Sequence, residues 1–127
     1  MAETNERPPV LVVDDSMFQR RLIRQALQGN GYRLVEAIDG ATAVKAIEQQ
    51  EFACILTDLV MPGLDGFALL AEIQRRQIQT PVVVLTADIQ KSTRERCEQL
   101  GAVAFVQKPV DGNALRSALS GAMGGRS

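Results

Sequence analysis

Short runs of aliphatic residues recur along the chain, and each run is followed by a polar turn. The runs are Val10–Val13, Leu34–Ala37, residues 53–57, Val82–Thr86 and, more weakly, Ala104–Gln107. Most are unbroken rather than alternating, which is typical of parallel strands covered by helices on both faces. The pattern therefore predicts five buried strands in one parallel sheet.

The segments between the strands have apolar residues at helical spacing, and most begin after a residue that can cap a helix. Ser16, Asp39, Asp65 and Asp111 precede four of these segments, and a further helix is expected over residues 92–100. Strand and helix alternate throughout. This order predicts a doubly wound α/β domain with right-handed crossovers.

Length and composition indicate one folded domain. The 127 residues suffice for one core, and 46% hydrophobic and 23% charged residues are ordinary values for a globular protein. We expect residues 1–8 to form a flexible N-terminal segment, residues 9–122 the domain, and residues 123–127 a Gly-rich tail. Glycine enrichment from Gly121 onward predicts that this end is mobile.

Several function classes are excluded by what the sequence lacks. It contains no histidine, which excludes a Ser or Cys hydrolytic triad and argues against zinc. Cys54 and Cys97 match no CxxC pattern and are expected to be reduced. A net charge of -1 favours no nucleic-acid partner, and no apolar run approaches the roughly 20 residues of a membrane span. A polar N-terminus without a secretory pattern leads us to expect a cytoplasmic location.

Polar residues stand at the carboxyl ends of four predicted strands. They are Asp14 with Asp15, Asp58, Thr86 and Lys108. Each alone has an ordinary explanation, as a turn, a cap, a strand residue or an exposed charge. Ligands of open α/β sheets, however, bind at this edge, so we expect these side chains to lie together.

Three carboxylates at one edge would repel each other unless a cation were bound. Oxygen ligands of this kind suit Mg²⁺. A metal beside the Lys108 ammonium and the Thr86 hydroxyl is arranged to receive a phosphoryl group, because these groups neutralise charge on its oxygens. Asp58 stands alone at the end of a central strand and is the best candidate nucleophile.

These residues lie in motifs that resemble the response-regulator receiver family, of which the chemotaxis response regulator is a single-domain member. The motifs occupy residues 12–16, 56–66, 84–87 and 105–109, in the family's order and spacing. The resemblance covers roughly residues 9–122. It implies a flavodoxin-like, CheY-like fold with strand order 2-1-3-4-5 and five helices.

The resemblance assigns a role to each matching residue. It implies that Asp58 is the phosphoacceptor and that Asp14, Asp15 and Asp58 bind Mg²⁺, for which Mn²⁺ can substitute. It further implies that the backbone carbonyl of Val60 is a metal ligand. Because Val60 is apolar where relatives often carry a polar side chain, we hypothesise an effect on phosphoryl lifetime.

The remaining positions match the family's phosphate-binding and switch residues. Lys108, Thr86 and Ala87 are implied to bind the phosphoryl group, and Thr86 with Phe105 to form the switch pair. Phe105 stands where many relatives have tyrosine. It has no hydroxyl with which to contact a target, but its ring can still rotate. The bond between Lys108 and Pro109 is implied to be cis.

The resemblance also implies partners. A sensor histidine kinase or a histidine phosphotransfer protein would supply the phosphoryl group, and a downstream protein target or a phosphatase would read or remove it. The output surface would be the fourth helix, fifth strand and fifth helix, residues 90–100 and 102–119. The protein would be a monomer or a phosphorylation-dependent dimer, with slow self-phosphorylation from small phosphodonors and slow autodephosphorylation.

Three alternatives remain open. The chain could be an aspartyl-phosphate phosphatase, although position 60 is valine rather than the second carboxylate such enzymes need. It could be a phosphorylation-independent interaction module, or the receiver of a longer or hybrid signalling protein.

A group of arginines is interpreted as solvated helix faces: Arg20, Arg21, Arg24, Arg75 and Arg76.

Overall fold

The computed structural model describes residues 8–88 and 90–124. Its elements, in chain order, are β1 (Val10–Val13), α1 (Met17–Leu27), β2 (Leu34–Ala37), α2 (Gly40–Gln49), β3 (Cys54–Thr57), α3 (Gly66–Arg75), β4 (Val82–Thr86), α4 (Lys91–Gln99), β5 (Ala104–Gln107) and α5 (Gly112–Gly124). Most of the predicted N-terminal segment (residues 1–7) and the tail residues 125–127 lie outside the described residues.

The strands form one parallel sheet in the order β2-β1-β3-β4-β5, as predicted. β1 and β3 are neighbours at its centre, and Val13 pairs with Thr57 in their register. Both strands are buried along their whole length, which explains their unbroken apolar sequences. Asp14 and Asp58, which directly follow these paired residues, must therefore emerge side by side.

The helices cover both faces of the sheet and enclose two apolar cores. One core contains side chains of α2, α3 and α4, including Leu69, Leu70 and Cys97. The other contains side chains of α1 and α5, including Ile23 and Leu119. No helix among the described residues has the length and apolar character that crossing a bilayer requires.

Three of the predicted caps are formed by side chains. Ser16, Asp39 and Asp65 each accept a hydrogen bond from the backbone N–H three residues later, at 2.8 to 3.1 Å. Asp111 also accepts from the N–H of Asn113 at 2.9 Å. These contacts satisfy N–H groups that the first turn of a helix leaves without partners.

Three element boundaries differ from the prediction by one residue, and one end differs by more. β3 begins at Cys54, and α4 begins at Lys91 and ends at Gln99. The end of the chain was expected to be mobile from Gly121, but α5 continues as a helix to Gly124. The apolar residues Ala122 and Met123 pack against the same core as Leu119, and this packing outweighs the poor helix propensity of glycine.

Candidate functional site

Three aspartates gather at the carboxyl edge of β1 and β3. Asp14, Asp15 and Asp58 each offer a carboxylate oxygen, and these oxygens lie within 4.8 Å of one another. Asp14 is 1% exposed and Asp58 is 8% exposed, whereas Asp15 faces solvent. The structure thus brings the three predicted carboxylates together, two in the interior and one at the rim.

Lys108 links the two buried carboxylates. Its Nζ lies 3.0 Å from Asp14 Oδ2 and 3.2 Å from Asp58 Oδ2. Its backbone N–H donates to the carbonyl of Thr86 at 2.8 Å, which anchors the end of β5 to the end of β4. The peptide bond between Lys108 and Pro109 is cis. The predicted lysine therefore lies within contact of the predicted acceptor.

The charges at the site are not balanced by these contacts. Burial raises the pKa of Asp58, the Lys108 ammonium lowers it, and the Asp14 carboxylate raises it again. One ammonium faces two buried carboxylates, with Asp15 as a third close by. An oxygen-lined cluster with excess negative charge fits a hard divalent cation such as Mg²⁺.

The backbone around Asp58 holds the carboxylate in a defined position. Asp58 Oδ1 accepts a hydrogen bond from the N–H of Leu59 at 2.8 Å, so the other oxygen is the one that meets Lys108. Gly66, the first residue of α3, donates its N–H to the Leu59 carbonyl at 2.9 Å. A Cβ at Gly66 would lie 2.3 Å from the Asp58 carbonyl oxygen. Only glycine permits α3 to begin this close to Asp58.

The other predicted residues lie around this cluster. Thr86 is 2% exposed, and its Oγ1 accepts from the N–H of Asp88 at 3.1 Å. Ala87 follows it as an exposed residue, and the Val60 side chain is 76% exposed. Phe105 is half-buried in β5, three residues before Lys108.

Arg20 is a neighbour of the site that the sequence interpretation missed. Its side chain is only 12% exposed, and its Nη1 donates to the Asp14 carbonyl at 2.7 Å. Its Nε donates to Glu36 of β2 at 3.0 Å. The assignment of this residue to a solvated helix face is therefore wrong. The exposed Arg75, by contrast, pairs with Glu72 on its own helix.

Asp88 and Arg94 organise the region beyond Thr86. The Asp88 carboxylate accepts from the N–H of Gln90 at 2.9 Å and from the hydroxyl of Thr93 at 2.8 Å. The Arg94 guanidinium lies 5.2 Å from the centre of the Phe105 ring. Arg94 could not be linked to Phe105 from the sequence, because their contact depends on how α4 packs beside β5.

Comparison with known proteins agrees with this geometry. The family model described as the response regulator receiver domain matches residues 10–120. The chain therefore belongs to the response regulator receiver domain family, the phosphoacceptor module of two-component signalling. Receiver domains bind Mg²⁺ at an acidic site, and the three clustered aspartates are the corresponding feature here.

Two curated relatives are much longer than this chain. The sensor histidine kinase RcsC of Salmonella typhi is 33% identical over 119 residues, which are 94% of this chain and 13% of that protein. A protein-glutamate methylesterase/protein-glutamine glutaminase of Koribacter versatilis is 43% identical over 110 residues, 84% of this chain and 30% of that protein. The similarity thus extends over less than a third of each relative.

Two solved structures show the same fold. The receiver domain of a sensor histidine kinase from Pseudomonas aeruginosa is 31% identical, with a TM-score of 0.83 over 92% of this chain and 98% of that one. That structure has a magnesium ion coordinated in its active-site cleft. The receiver domain of a Francisella response regulator is 27% identical, with a TM-score of 0.89 over 95% of this chain and 100% of that one.

Proposed function

We propose that this chain is a phosphorylation switch in which the Asp58 carboxylate accepts a phosphoryl group from a phosphohistidine. The donor is a sensor histidine kinase or a histidine phosphotransfer protein. The observation that carries the proposal is the contact of the Lys108 ammonium with both Asp14 and Asp58, inside a cluster of three carboxylates. Such a cluster stabilises added phosphoryl oxygens only after its own negative charge is offset.

The residues that would hold Mg²⁺, or Mn²⁺ in its place, are Asp14, Asp15, Asp58 and the backbone carbonyl of Val60. When bound, the ion neutralises charge on the carboxylates and on the phosphoryl oxygens. The role of the protein is to aim one Asp58 oxygen at the donor. The Leu59 N–H contacts one oxygen of this carboxylate and Lys108 contacts the other, so the group cannot rotate freely.

The transfer step forms one bond and breaks another. An oxygen of Asp58 bonds to phosphorus while the bond from phosphorus to the imidazole nitrogen breaks, and the electron pair of that bond returns to the nitrogen. Lys108 then pairs with a phosphoryl oxygen, and Thr86 donates its hydroxyl hydrogen to another, beside the N–H of Ala87. Thr86 moves toward the phosphoryl group, and the Phe105 ring turns into the space that Thr86 leaves.

The switch is reset by hydrolysis. Water attacks phosphorus, the bond between phosphorus and the Asp58 oxygen breaks, and inorganic phosphate leaves while the carboxylate is restored. The exposed Val60 side chain offers an approaching water no hydrogen bond. We therefore expect slow autodephosphorylation, as well as slow self-phosphorylation from small phosphodonors. Equal decay rates for the wild type and Val60→Asn would remove this role of Val60.

The donor must contact the rim of the site, where apolar side chains are exposed beside Asp15. Met17 is 72% exposed, Phe18 is 65% exposed and Ile38 is 55% exposed, all in segments that follow the carboxyl ends of β1 and β2. A helical donor would cover these side chains when its histidine reaches Asp58.

The output surface would be α4, β5 and α5, which a downstream protein would bind. The chain itself would be a monomer or a phosphorylation-dependent dimer.

Phosphorylation with acetyl phosphate and Mg²⁺ tests the proposal, with intact-protein mass spectrometry as the readout. The wild type is expected to gain one phosphoryl group, and Asp58→Asn to gain none. Asp65→Asn is a matched control, since Asp65 lies on the following loop and asparagine also caps helices well. Full labelling of Asp58→Asn would overturn the assignment, and sustained turnover of the donor would indicate a phosphatase instead.

A second arm of the experiment examines the rim. Phe18→Ala is expected to slow transfer from a phosphorylated kinase by about tenfold, because an exposed aromatic side chain that a partner covers is a typical interface anchor. Labelling by acetyl phosphate should stay unchanged, since this small donor needs no protein contact. Equal slowing of both reactions would mean that Phe18 supports the site rather than the partner.

A further inference from the structure

The peptide group between Asp14 and Asp15 is held by Arg20. The Arg20 Nη1 donates to the carbonyl of Asp14 at 2.7 Å, and the N–H of Asp14 donates to the carbonyl of Ala37 at 3.1 Å. The Asp14 side chain is fixed as well, because its carboxylate accepts from the N–H of Ser16 and from Lys108. Asp14 is therefore anchored at both its main chain and its side chain.

Asp15 is anchored differently. Its side chain is exposed, and within residues 8–88 and 90–124 no hydrogen bond or ion pair reaches its carboxylate. Its direction is therefore set by its backbone alone. The peptide plane that precedes Asp15 carries the carbonyl that Arg20 holds, so Arg20 controls the direction in which Asp15 leaves β1.

Glu36 aims Arg20 at this carbonyl. The Glu36 carboxylate accepts from Arg20 Nε at 3.0 Å and from Arg24 Nη1 at 2.5 Å, so it links two arginines one helical turn apart. The guanidinium of Arg20 is planar, and with Nε fixed by Glu36 its Nη1 has little freedom to leave Asp14. Arg24 shares the same carboxylate but, among the described residues, neither hydrogen-bonds to nor ion-pairs with Asp14.

We propose that Arg20 is a positioning residue for cation binding, holding the Asp14–Asp15 peptide so that the exposed Asp15 carboxylate faces the site. This inference rests on the proposed function, because it concerns the same Mg²⁺ site. A positioning role and a charge effect of Arg20 predict opposite changes in Mg²⁺ affinity. The positive charge of Arg20 near the site should repel Mg²⁺, so loss of this charge alone would strengthen binding. Loss of a positioning contact weakens binding instead.

The experiment is a titration of metal-free protein with Mg²⁺ by isothermal calorimetry, without any phosphodonor. Arg20→Met keeps the aliphatic stem and is expected to bind Mg²⁺ about tenfold more weakly, the usual effect of removing a group that orients a metal ligand. Arg24→Gln is the matched control, since it removes an exposed ion pair of Glu36 and leaves Asp14 untouched. Its affinity should stay within about twofold of the wild type.

Arg20→Lys separates position from charge. An ammonium cannot make both contacts of the guanidinium fork, so this variant should also bind weakly. Equal or tighter binding by Arg20→Met, or wild-type affinity of Arg20→Lys, would overturn the inference. Absence of Mg²⁺ binding by the wild type would instead overturn the proposed function.

Folding is checked by urea unfolding in EDTA. Should Arg20→Met fail to fold, Glu36→Gln replaces it in the titration, because this change weakens the contact that aims Arg20 and leaves Arg20 in place. Its Mg²⁺ affinity is expected to be weaker than that of the wild type and of Arg24→Gln, and stronger than that of Arg20→Lys. Wild-type affinity of Glu36→Gln would count against the inference.

Discussion

Helices α3 and α4 follow β3 and β4 and flank the same acidic edge, but they are attached to the sheet in different ways. α3 buries Gly66, Leu69, Leu70 and Ile73, and its first turn is capped by Asp65. α4 buries only Cys97, and Gln90 at its start provides no side-chain cap. One helix is held by apolar area along its length, and the other by a single buried side chain.

The remaining contacts of α4 are polar or involve aromatic faces. Asp88 holds the hydroxyl of Thr93, Arg94 lies over Phe105, and the Arg96 guanidinium is 3.9 Å from the centre of the Phe67 ring. Each contact is worth about 1 kcal/mol and can be exchanged for another with little loss of buried area. The helix that supports Asp58 is therefore rigid, whereas the helix beyond Thr86 can shift at low cost.

The largest expected contrast is in thiol reactivity. Burial raises the pKa of Cys54 to about 12 and also raises the pKa of Cys97, so neither thiol should react in the closed state. Opening of α4 exposes Cys97, whereas Cys54 in β3 needs global unfolding. Labelling with a disulfide reagent should be roughly 100-fold faster at Cys97, which corresponds to about 3 kcal/mol in opening free energy. The single variants Cys54→Ala and Cys97→Ala assign the two rates, and equal rates would refute the contrast.

The second prediction compares truncations in the two helices. Leu69→Ala in α3 should lower the free energy of unfolding by about 3 kcal/mol, since Leu69 is 0% exposed within the core. Cys97→Ala in α4 should cost about 1 kcal/mol, because it removes a single sulfur atom from a helix with few other buried contacts. Urea unfolding at constant m-value measures both. A larger cost at Cys97 would show that α4 is the better anchored helix.

The third prediction concerns the start of α3. Gly66→Ala places a methyl group against the Asp58 carbonyl, and it should destabilise the fold by about 2 kcal/mol and slow phosphorylation by acetyl phosphate. Gly121→Ala in α5 is the control, since a Cβ there meets no atom within 4 Å. That change should stabilise the protein by about 0.5 to 1 kcal/mol through helix propensity. An unchanged labelling rate for Gly66→Ala would show that the packing of α3 does not affect the reactivity of Asp58.

The smallest expected effect is at the polar clasp of α4. Thr93→Val removes the hydroxyl bonded to Asp88 and should cost about 1 kcal/mol, with faster hydrogen exchange confined to amides of α4. Thr42→Val in α2 is the matched control, because Thr42 makes the same kind of bond to Asp39. Exchange in α4 should not respond to this control. Faster exchange throughout the protein in Thr93→Val would contradict a local role.

The hydrophobic pattern of the sequence predicts much of this architecture. β1, β3 and β4 are recognisable because strands buried on both faces carry unbroken apolar runs, and the caps Ser16 and Asp65 because cap chemistry is local. The meeting of Asp14 with Asp58 follows from a general rule about parallel sheets rather than from their separation in sequence.

What the sequence did not predict depends on contacts between elements. Arg20 has an ordinary helix-surface pattern, and only the packing of α1 beside β2 brings it between Glu36 and the Asp14 carbonyl. The end of α5 was mispredicted because glycine counts against a helix locally, whereas Met123 packs against the core. Neither contact leaves a periodic signal along the chain.

The pairing of β1 with β3 has a consequence for newly made chains. Asp14 and Asp58 become neighbours only when Val13 and Thr57 are in register, and Lys108 joins them only after β5 has added to the far side of β4. A chain that has not completed its sheet has scattered aspartates of ordinary reactivity. Under the proposed function, such a chain would not react with its phosphoryl donor. Incompletely folded copies would therefore neither consume phosphoryl groups nor send a false signal.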